Sequence, residues 1–163
     1  MSEYKYLGTI LDDKLTFNAH TYYINSKCQS RIYCLQKLRS LNVNLDILRT
    51  FYRSFVESVL TFSFLCWFGG LSLSCKNVLG RVVNVCSKVL GERQTNLNDL
   101  YICRTEKKAK AIVSDKRHIL TRLFETLPSG RRFRAPRVRT VRTKLSFIPN
   151  AIKFLNKSKW YGK

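Results

Sequence analysis

Three pairs of cations near the end of this chain stand two residues apart: Arg132 with Arg134, Arg137 with Arg139, and Arg142 with Lys144. In extended backbone each such pair projects to one side, roughly 6–7 Å apart, close to the spacing of successive phosphates along a strand. Arginine is the favoured cation for that partner, because its planar fork grips two oxygens at once. Arg131 adds a further cation, and Phe133 sits among them as an aromatic face able to stack on an exposed base. Phe147, Trp160 and Tyr161 continue the interleaving. The candidate nucleic-acid-binding set is therefore Arg131, Arg132, Phe133, Arg134, Arg137, Arg139, Arg142 and Lys144. Its expected partner is the RNA or DNA backbone, with little sequence preference. Six phosphate contacts would give a log–log salt slope of about −5 on duplex. The competing reading is that the aromatics dock this segment onto helices while the arginines stay solvated.

The charge is unevenly placed. The 163 residues carry 30 Lys and Arg against 10 Asp and Glu, a net of +20. Residues 1–100 hold 12 basic and 7 acidic side chains, whereas residues 101–163 hold 18 and 3. From Thr126 to Lys163 there are eleven Lys and Arg and no Asp or Glu. A run this cationic repels itself and either finds an anionic partner or stays extended. A core-forming half and a binding half follow from that asymmetry.

Other chemistry is thin. Adjacent carboxylates such as Asp12-Asp13 can hold two magnesium ions for phosphoryl transfer. A polymerase centre also needs a third carboxylate and an aromatic residue two places before the pair, where this chain has Ile10. A turn between a strand and a helix is the simpler expectation. His118 lies one helical step from Asp115, a spacing typical of a surface or helix-end contact. Ser129-Gly130 is followed by arginines rather than by a phosphate-loop signature. The six cysteines (28, 34, 66, 75, 86 and 103) form no C-x-x-C pair and mostly fall at apolar helical positions, where a free thiol acts as a small hydrophobe. We expect no catalytic residues, no metal site and no cofactor. With no leader ahead of these thiols, an intracellular setting, nuclear or cytoplasmic, is expected.

Tyr4–Leu11 reads as a β-strand or hairpin, followed by a turn at Asp12-Asp13-Lys14. Asn18 is placed to cap a helix from about Ala19 to Ser40, with Ile24, Cys28, Ile32, Leu35 and Leu38 as its stripe. A second helix should start after Asn44 and run to about Phe64, with Leu48, Phe51, Tyr52, Phe55, Val56, Val59 and Phe62 as a wide apolar face. A third covers about Cys75 to Leu90 and meets Gly91 as a C-terminal cap. Further helices are predicted over about 98–113 and 116–127, the latter using Ile119, Leu123 and Phe124, with a short amphipathic turn after Pro149. Ser58–Cys75 is uncharged over 18 residues, which reaches the length of a membrane-spanning helix. Its Gly69-Gly70 pair and five Ser or Thr favour a buried helix followed by a turn. The expected fold is mostly α: a small helical bundle with a short N-terminal β-strand or hairpin and an extended basic C-terminal arm. Its expected parts are residues 1–16 (strand and turn), 17–127 (helical region) and 128–163 (basic, partly disordered arm).

Several stretches taken together carry a family likeness. They are Tyr4-Lys-Tyr-Leu-Gly-Thr-Ile-Leu-Asp12, Phe17-Asn-Ala-His20, Cys28-Gln-Ser-Arg-Ile-Tyr-Cys-Leu-Gln-Lys-Leu-Arg39, Phe51-Tyr-Arg-Ser-Phe-Val-Glu-Ser-Val-Leu60 with Trp67, Leu127-Pro-Ser-Gly-Arg-Arg-Phe-Arg134 and Ser146-Phe-Ile-Pro149. In combination they resemble the C-terminal part of a LINE-type (non-LTR) retrotransposon reverse transcriptase. The resemblance implies a thumb-like region that follows the palm and its Phe-Ala-Asp-Asp box, tracking template and primer. Because this sequence starts after that box, it implies a non-catalytic remnant, and Asp12 and Asp13 match a turn rather than the metal-binding pair. The first 40 or so residues also look like the segment catalogued as an AlkB-homologue N-terminal domain, which belongs to tRNA-modifying dioxygenase and methyltransferase enzymes. That second likeness, and a translated retroelement fragment without function, are the alternative readings.

Overall fold

Two positive-φ residues, Leu7 (φ 44°) and Gly8 (φ 84°), divide the expected first strand in two. They are the paired left-handed positions of a type I′ turn, whose twist matches that of a two-residue hairpin. Strands β1 (Glu3–Tyr6) and β2 (Thr9–Asp12) accordingly pair antiparallel, with Tyr6 opposite Thr9 and Glu3 opposite Asp12. The chain is described here by a computed structural model over residues 3–160. It is mostly α with this two-stranded hairpin at its start, and it divides into two compact units, Met1–Phe64 with Leu71–Leu97 and Leu65–Gly70 with Asn98–Lys163.

In the first unit the loop after β2 is organised by one carboxylate. Asp12 accepts the backbone N–H groups of Lys14, Thr16 and Phe17 at 3.1, 2.9 and 2.8 Å, and the Thr16 hydroxyl at 3.1 Å. Burial pushes its pKa up, but the donors of Thr16, Phe17 and Lys14 together outweigh this and hold it below the usual value. Helix α1 (Asn18–Ser40) starts from this loop. Asn18 does not cap it: the cap position is Phe17, in left-handed backbone at φ 57°, and the Asn18 side-chain Oδ1 instead accepts from the Cys75 thiol at 3.1 Å.

Helix α1 buries His20, Ile24, Cys28, Ile32 and Leu35, and packs most extensively against α5 (Leu73–Leu90). That helix supplies Leu79, Val82, Val83, Cys86 and Leu90 and ends at Gly91 in left-handed backbone (φ 73°). Burial raises the thiols of Cys28 and Cys86 to about 11 and about 12, so both remain protonated core groups. Cys75 is buried as well, whereas Cys34, Cys66 and Cys103 are exposed, so half of the cysteines rather than most serve the core.

The second predicted helix is a composite of α2 (Leu45–Phe51), a π-helical turn (Tyr52–Glu57) and α3 (Ser58–Leu60). Asn44 caps it, accepting from the Asp46 N–H at 2.8 Å. Its buried residues are Leu48, Tyr52, Val56 and Leu60, spaced by four. A four-residue step overshoots the 3.6-residue α turn, and the wider π turn takes up the excess. The same widening turns Phe55 outward, to 51% exposure, and Phe62 lies beyond the helix, also at 51%, against their expected place in the core. Arg31 donates to the Phe55 carbonyl at 2.5 Å, within the π turn. Arg49 then ties the start of this composite to the end of α5, with bidentate contacts to Glu92 at 2.9 and 2.8 Å and one to Asp46 at 2.8 Å.

The uncharged stretch from Ser58 to Cys75 is broken into α3, α4 (Phe64–Trp67), a 3-10 turn (Phe68–Gly70) and the start of α5. Among the described residues no helix is long and apolar enough to cross a membrane. In the second unit, α6 (Leu97–Ser114) is followed by a 3-10 turn at Ile119–Leu123 in place of the helix expected over 116–127. Extended backbone at His118 interrupts helical continuation, and Ile119 and Leu123 stay exposed while Phe124 is buried. Short helices α7 (Val141–Lys144) and α8 (Phe147–Lys157) complete the unit.

Gly69 and Gly70 are not equivalent. A Cβ on Gly69 would stand 2.5 Å from the Tyr101 hydroxyl and 2.6 Å from the Leu145 carbonyl, whereas one on Gly70 would meet nothing. Gly69→Ala should therefore cost about 1–3 kcal/mol by overpacking, and Gly70→Ala close to nothing, as read by urea denaturation. His20 supplies a pH test. It is 1% exposed, its Nδ1 accepts the Ile10 N–H at 3.2 Å, and burial drives its pKa from 6.5 to about 4. The unfolded chain binds this proton first, so stability is full above about pH 6.5 and declines toward pH 4, by up to about 3 kcal/mol. His20→Asn keeps an acceptor for Ile10, and its stability should change less steeply across that window.

Candidate nucleic-acid interface

Residues 125–134 form a tight hairpin. The Gly130 N–H donates to the Leu127 carbonyl at 2.8 Å, Leu127 N–H to the Arg132 carbonyl at 2.8 Å, and Arg134 N–H to the Glu125 carbonyl at 2.7 Å. Gly130 holds φ 65°, a left-handed position that suits glycine. Thr126 and Phe133 make an antiparallel bridge. Strand-like backbone at Phe133 sends alternate side chains to opposite sides. Phe133 points inward, at 2% exposure, and meets Phe124 edge to face with ring centres 6.0 Å apart. Its neighbours Arg132 and Arg134 are exposed.

Asn156, on α8, fixes this arrangement through the backbone. Its Oδ1 accepts the Phe133 N–H at 2.8 Å, and its Nδ2 donates to the Phe133 carbonyl at 3.0 Å. Phe133 shares its core with Ala109 and Ile112 from α6 and Ala151, Ile152 and Leu155 from α8. The ring expected to stack on bases is thus an anchor for the loop. Phe147 and Trp160 pack against the same core, with the Lys110 ammonium 5.8 Å from the Trp160 ring centre, and Tyr161 lies outside the described residues.

The cations stay in solvent. Arg131, Arg132, Arg134, Arg137, Arg139, Arg142 and Lys144 are all exposed, and Arg134 approaches Glu125 at 3.7 Å across the hairpin. Residues 134–138 have no regular structure. The two-residue spacing has its expected extended form at Arg132 and Arg134. At Arg142 and Lys144 it does not, because Thr140 caps a helical turn there by accepting the Thr143 N–H at 3.2 Å. Two residues on a helix diverge rather than share a side.

Exposed cations outside the arm, which lie beyond the two-residue pairs, belong to the same unit: Lys107 and Lys108 on α6, Lys116, Arg117 and Arg122 after it, and Lys153 and Lys157 on α8. The charge count over residues 101–163 was the sequence signal for them. Residues 98–160 carry seventeen Lys and Arg against four Asp and Glu. His118 and Asp115 each close their own turn, accepting the N–H groups of Leu120 at 3.2 Å and Arg117 at 2.9 Å. Among the described residues no three His, Cys, Asp or Glu gather in a group that could hold a metal ion. No family model, curated protein or solved structure matches the chain.

The anchors and the cations separate in a stability measurement. Phe133→Ala should cost about 3–5 kcal/mol through the lost burial. Asn156→Ala leaves two backbone groups of Phe133 without their partner and should cost about 1–3 kcal/mol. Arg132→Ala, on the exposed side, should change chemical-denaturation stability by less than about 0.5 kcal/mol.

Proposed function

We propose that this chain is a non-catalytic nucleic-acid-binding protein that holds strands by their phosphates through the cationic arm over residues 131–144. The observation that carries the reading is the separation of roles in that arm: Phe133 is tied into the core while Arg131, Arg132, Arg134, Arg137, Arg139, Arg142 and Lys144 face solvent. Exposed guanidinium groups on an anchored backbone can meet phosphate oxygens without unfolding anything. Their field is reinforced by the surplus of cations elsewhere in the same unit, which steers a polyanion toward it. Such contacts read charge and not base identity, so binding should be nearly independent of sequence. The resemblance of the quoted segments to the thumb-like part of a LINE-type reverse transcriptase supports the same partner. On that reading the chain is a remnant that retains strand contact without polymerase chemistry.

Labelled single-stranded RNA, single-stranded DNA and duplex, titrated at about 50 and about 300 mM salt, test this. Duplex affinity should fall with a log–log slope of about −5 if six cations reach phosphates. Changing Arg132, Arg134, Arg137 and Arg139 to Ala should flatten the slope to about −2 while barely moving the melting temperature. Binding that is absent, or indifferent to salt, overturns the proposal.

A further inference from the structure

The first unit contains a cavity of about 340 Å³, lined by Gly8, His20, Tyr23, Ile24, Lys27, Ser58, Val59 and Phe62. This volume is at the lower end for small-molecule sites, which pair apolar and aromatic walls with a few convergent polar groups. The polar groups here are distinctive. Lys27, in the lining, places its ammonium 4.5 Å from the centre of the Tyr23 ring, and the exposed Lys5 ammonium, from β1 and beside the lining rather than part of it, lies 5.2 Å from the same centre. Two like charges held on one ring repel each other, and none of the lining residues is an Asp or Glu that would neutralise them. Hydrogen bonds from these ammoniums to its phenolic oxygen, with their charge, draw the Tyr23 pKa below its ordinary value.

The opposite chemistry stands beside them. Phe62 is half exposed and lines the cavity, and a Cβ on Gly8 would approach its ring at 3.2 Å, so the turn glycine keeps this wall clear. Val59 and Ile24 continue the apolar lining. A ligand that satisfies both parts carries a planar aromatic ring and a compact anion. Two ammoniums match a dianion better than a carboxylate, and a terminal phosphate monoester carries nearly two charges at neutral pH whereas a phosphodiester carries one.

We infer that this cavity binds a nucleoside monophosphate with a terminal phosphate, its base against Phe62 and its phosphate between Lys5 and Lys27. The same chemistry is offered by a free nucleotide and by the phosphorylated end of a strand. The site uses none of the arm cations and stands independently of the reading proposed for them.

Amide-resolved NMR of the full chain tests it with adenosine 5′-monophosphate, adenosine and inorganic phosphate as separate titrants. The monophosphate should produce saturable shifts at Gly8, Tyr23, Lys27 and Phe62, with affinity at least about tenfold above either half alone. Lys5→Gln with Lys27→Gln should weaken it by about tenfold or more, and Phe62→Ala by about fivefold or more, with the remaining resonances in place. The variant with the four arm arginines changed to Ala should bind it as the native chain does. A 5′-phosphorylated dinucleotide that binds as the monophosphate does assigns a strand end, and one that does not bind assigns a free nucleotide, whereas an unphosphorylated dinucleotide binding equally well overturns the terminal phosphate. Absence of shifts at those four amides overturns the inference, as does inorganic phosphate or adenosine binding as well as the monophosphate.

Discussion

Like-charge repulsion is the constraint that the second unit is built around. Seventeen cations against four anions over residues 98–160 must be gathered on one folded surface without being desolvated. In water two such charges about 4 Å apart repel by about 1 kcal/mol, and salt screens them beyond about 10 Å, so the cost is tolerable only while they stay outside. The unit meets this by letting uncharged groups do the holding. Phe133, Phe124 and α8 supply the burial, and the Asn156 amide fastens the loop by its backbone. Because the loop is held by Phe133 and Asn156, its exposed arginines can meet a ligand without unfolding it. Cations committed to internal ion pairs would have to break those pairs before meeting phosphate.

The first unit uses its charges differently. Residues 3–64 and 71–97 hold twelve Lys and Arg against six Asp and Glu, and several of these close the structure. Asp12 gathers the N–H groups of the loop ahead of α1, Arg49 bridges to Glu92, and Arg31 serves the Phe55 carbonyl in the π turn. These contacts lie at places where the regular hydrogen-bond ladder is interrupted. Buried apolar stripes, at three- and four-residue steps on α1 and at four-residue steps on the composite helix, supply the burial.

Much of this was legible in the sequence where a single residue type decides the local backbone. Asn44 and Gly91 mark helix ends by their own chemistry, and the apolar periodicity of α1 and α5 needed no distant partner to be read. The exposed arginines were legible too, since no core accepts so many guanidinium groups. What the sequence concealed depends on contacts between remote residues. Phe51, Phe55, Val59 and Phe62 repeat at nearly the same spacing as Leu48, Tyr52, Val56 and Leu60, and only packing decides that the second set is buried. Phe133 lies among arginines and looks like a stacking platform until Asn156, 23 positions away, takes both of its backbone groups. The segment after α6 has helical spacing, yet His118 and Asp115 close short turns of their own and leave Ile119 in water.

The same anchoring governs how the cationic surface can recognise a partner. Arg132 and Arg134 flank an anchored residue, whereas Arg137 is exposed on backbone without regular structure over 134–138. Affinity from such side chains comes chiefly from released counterions and brings no register with it, because each contact can shift along the phosphates. The ammoniums on the Tyr23 ring are the contrary case. They lie 5.2 and 4.5 Å from one ring centre, beside a cavity with apolar and aromatic walls. If both proposals hold, one surface selects polyanions by charge density, and the other selects a single unit by the fit of an aromatic ring and a dianion together. A steep dependence on salt follows for the first and a shallow one for the second, since only two charges are neutralised there.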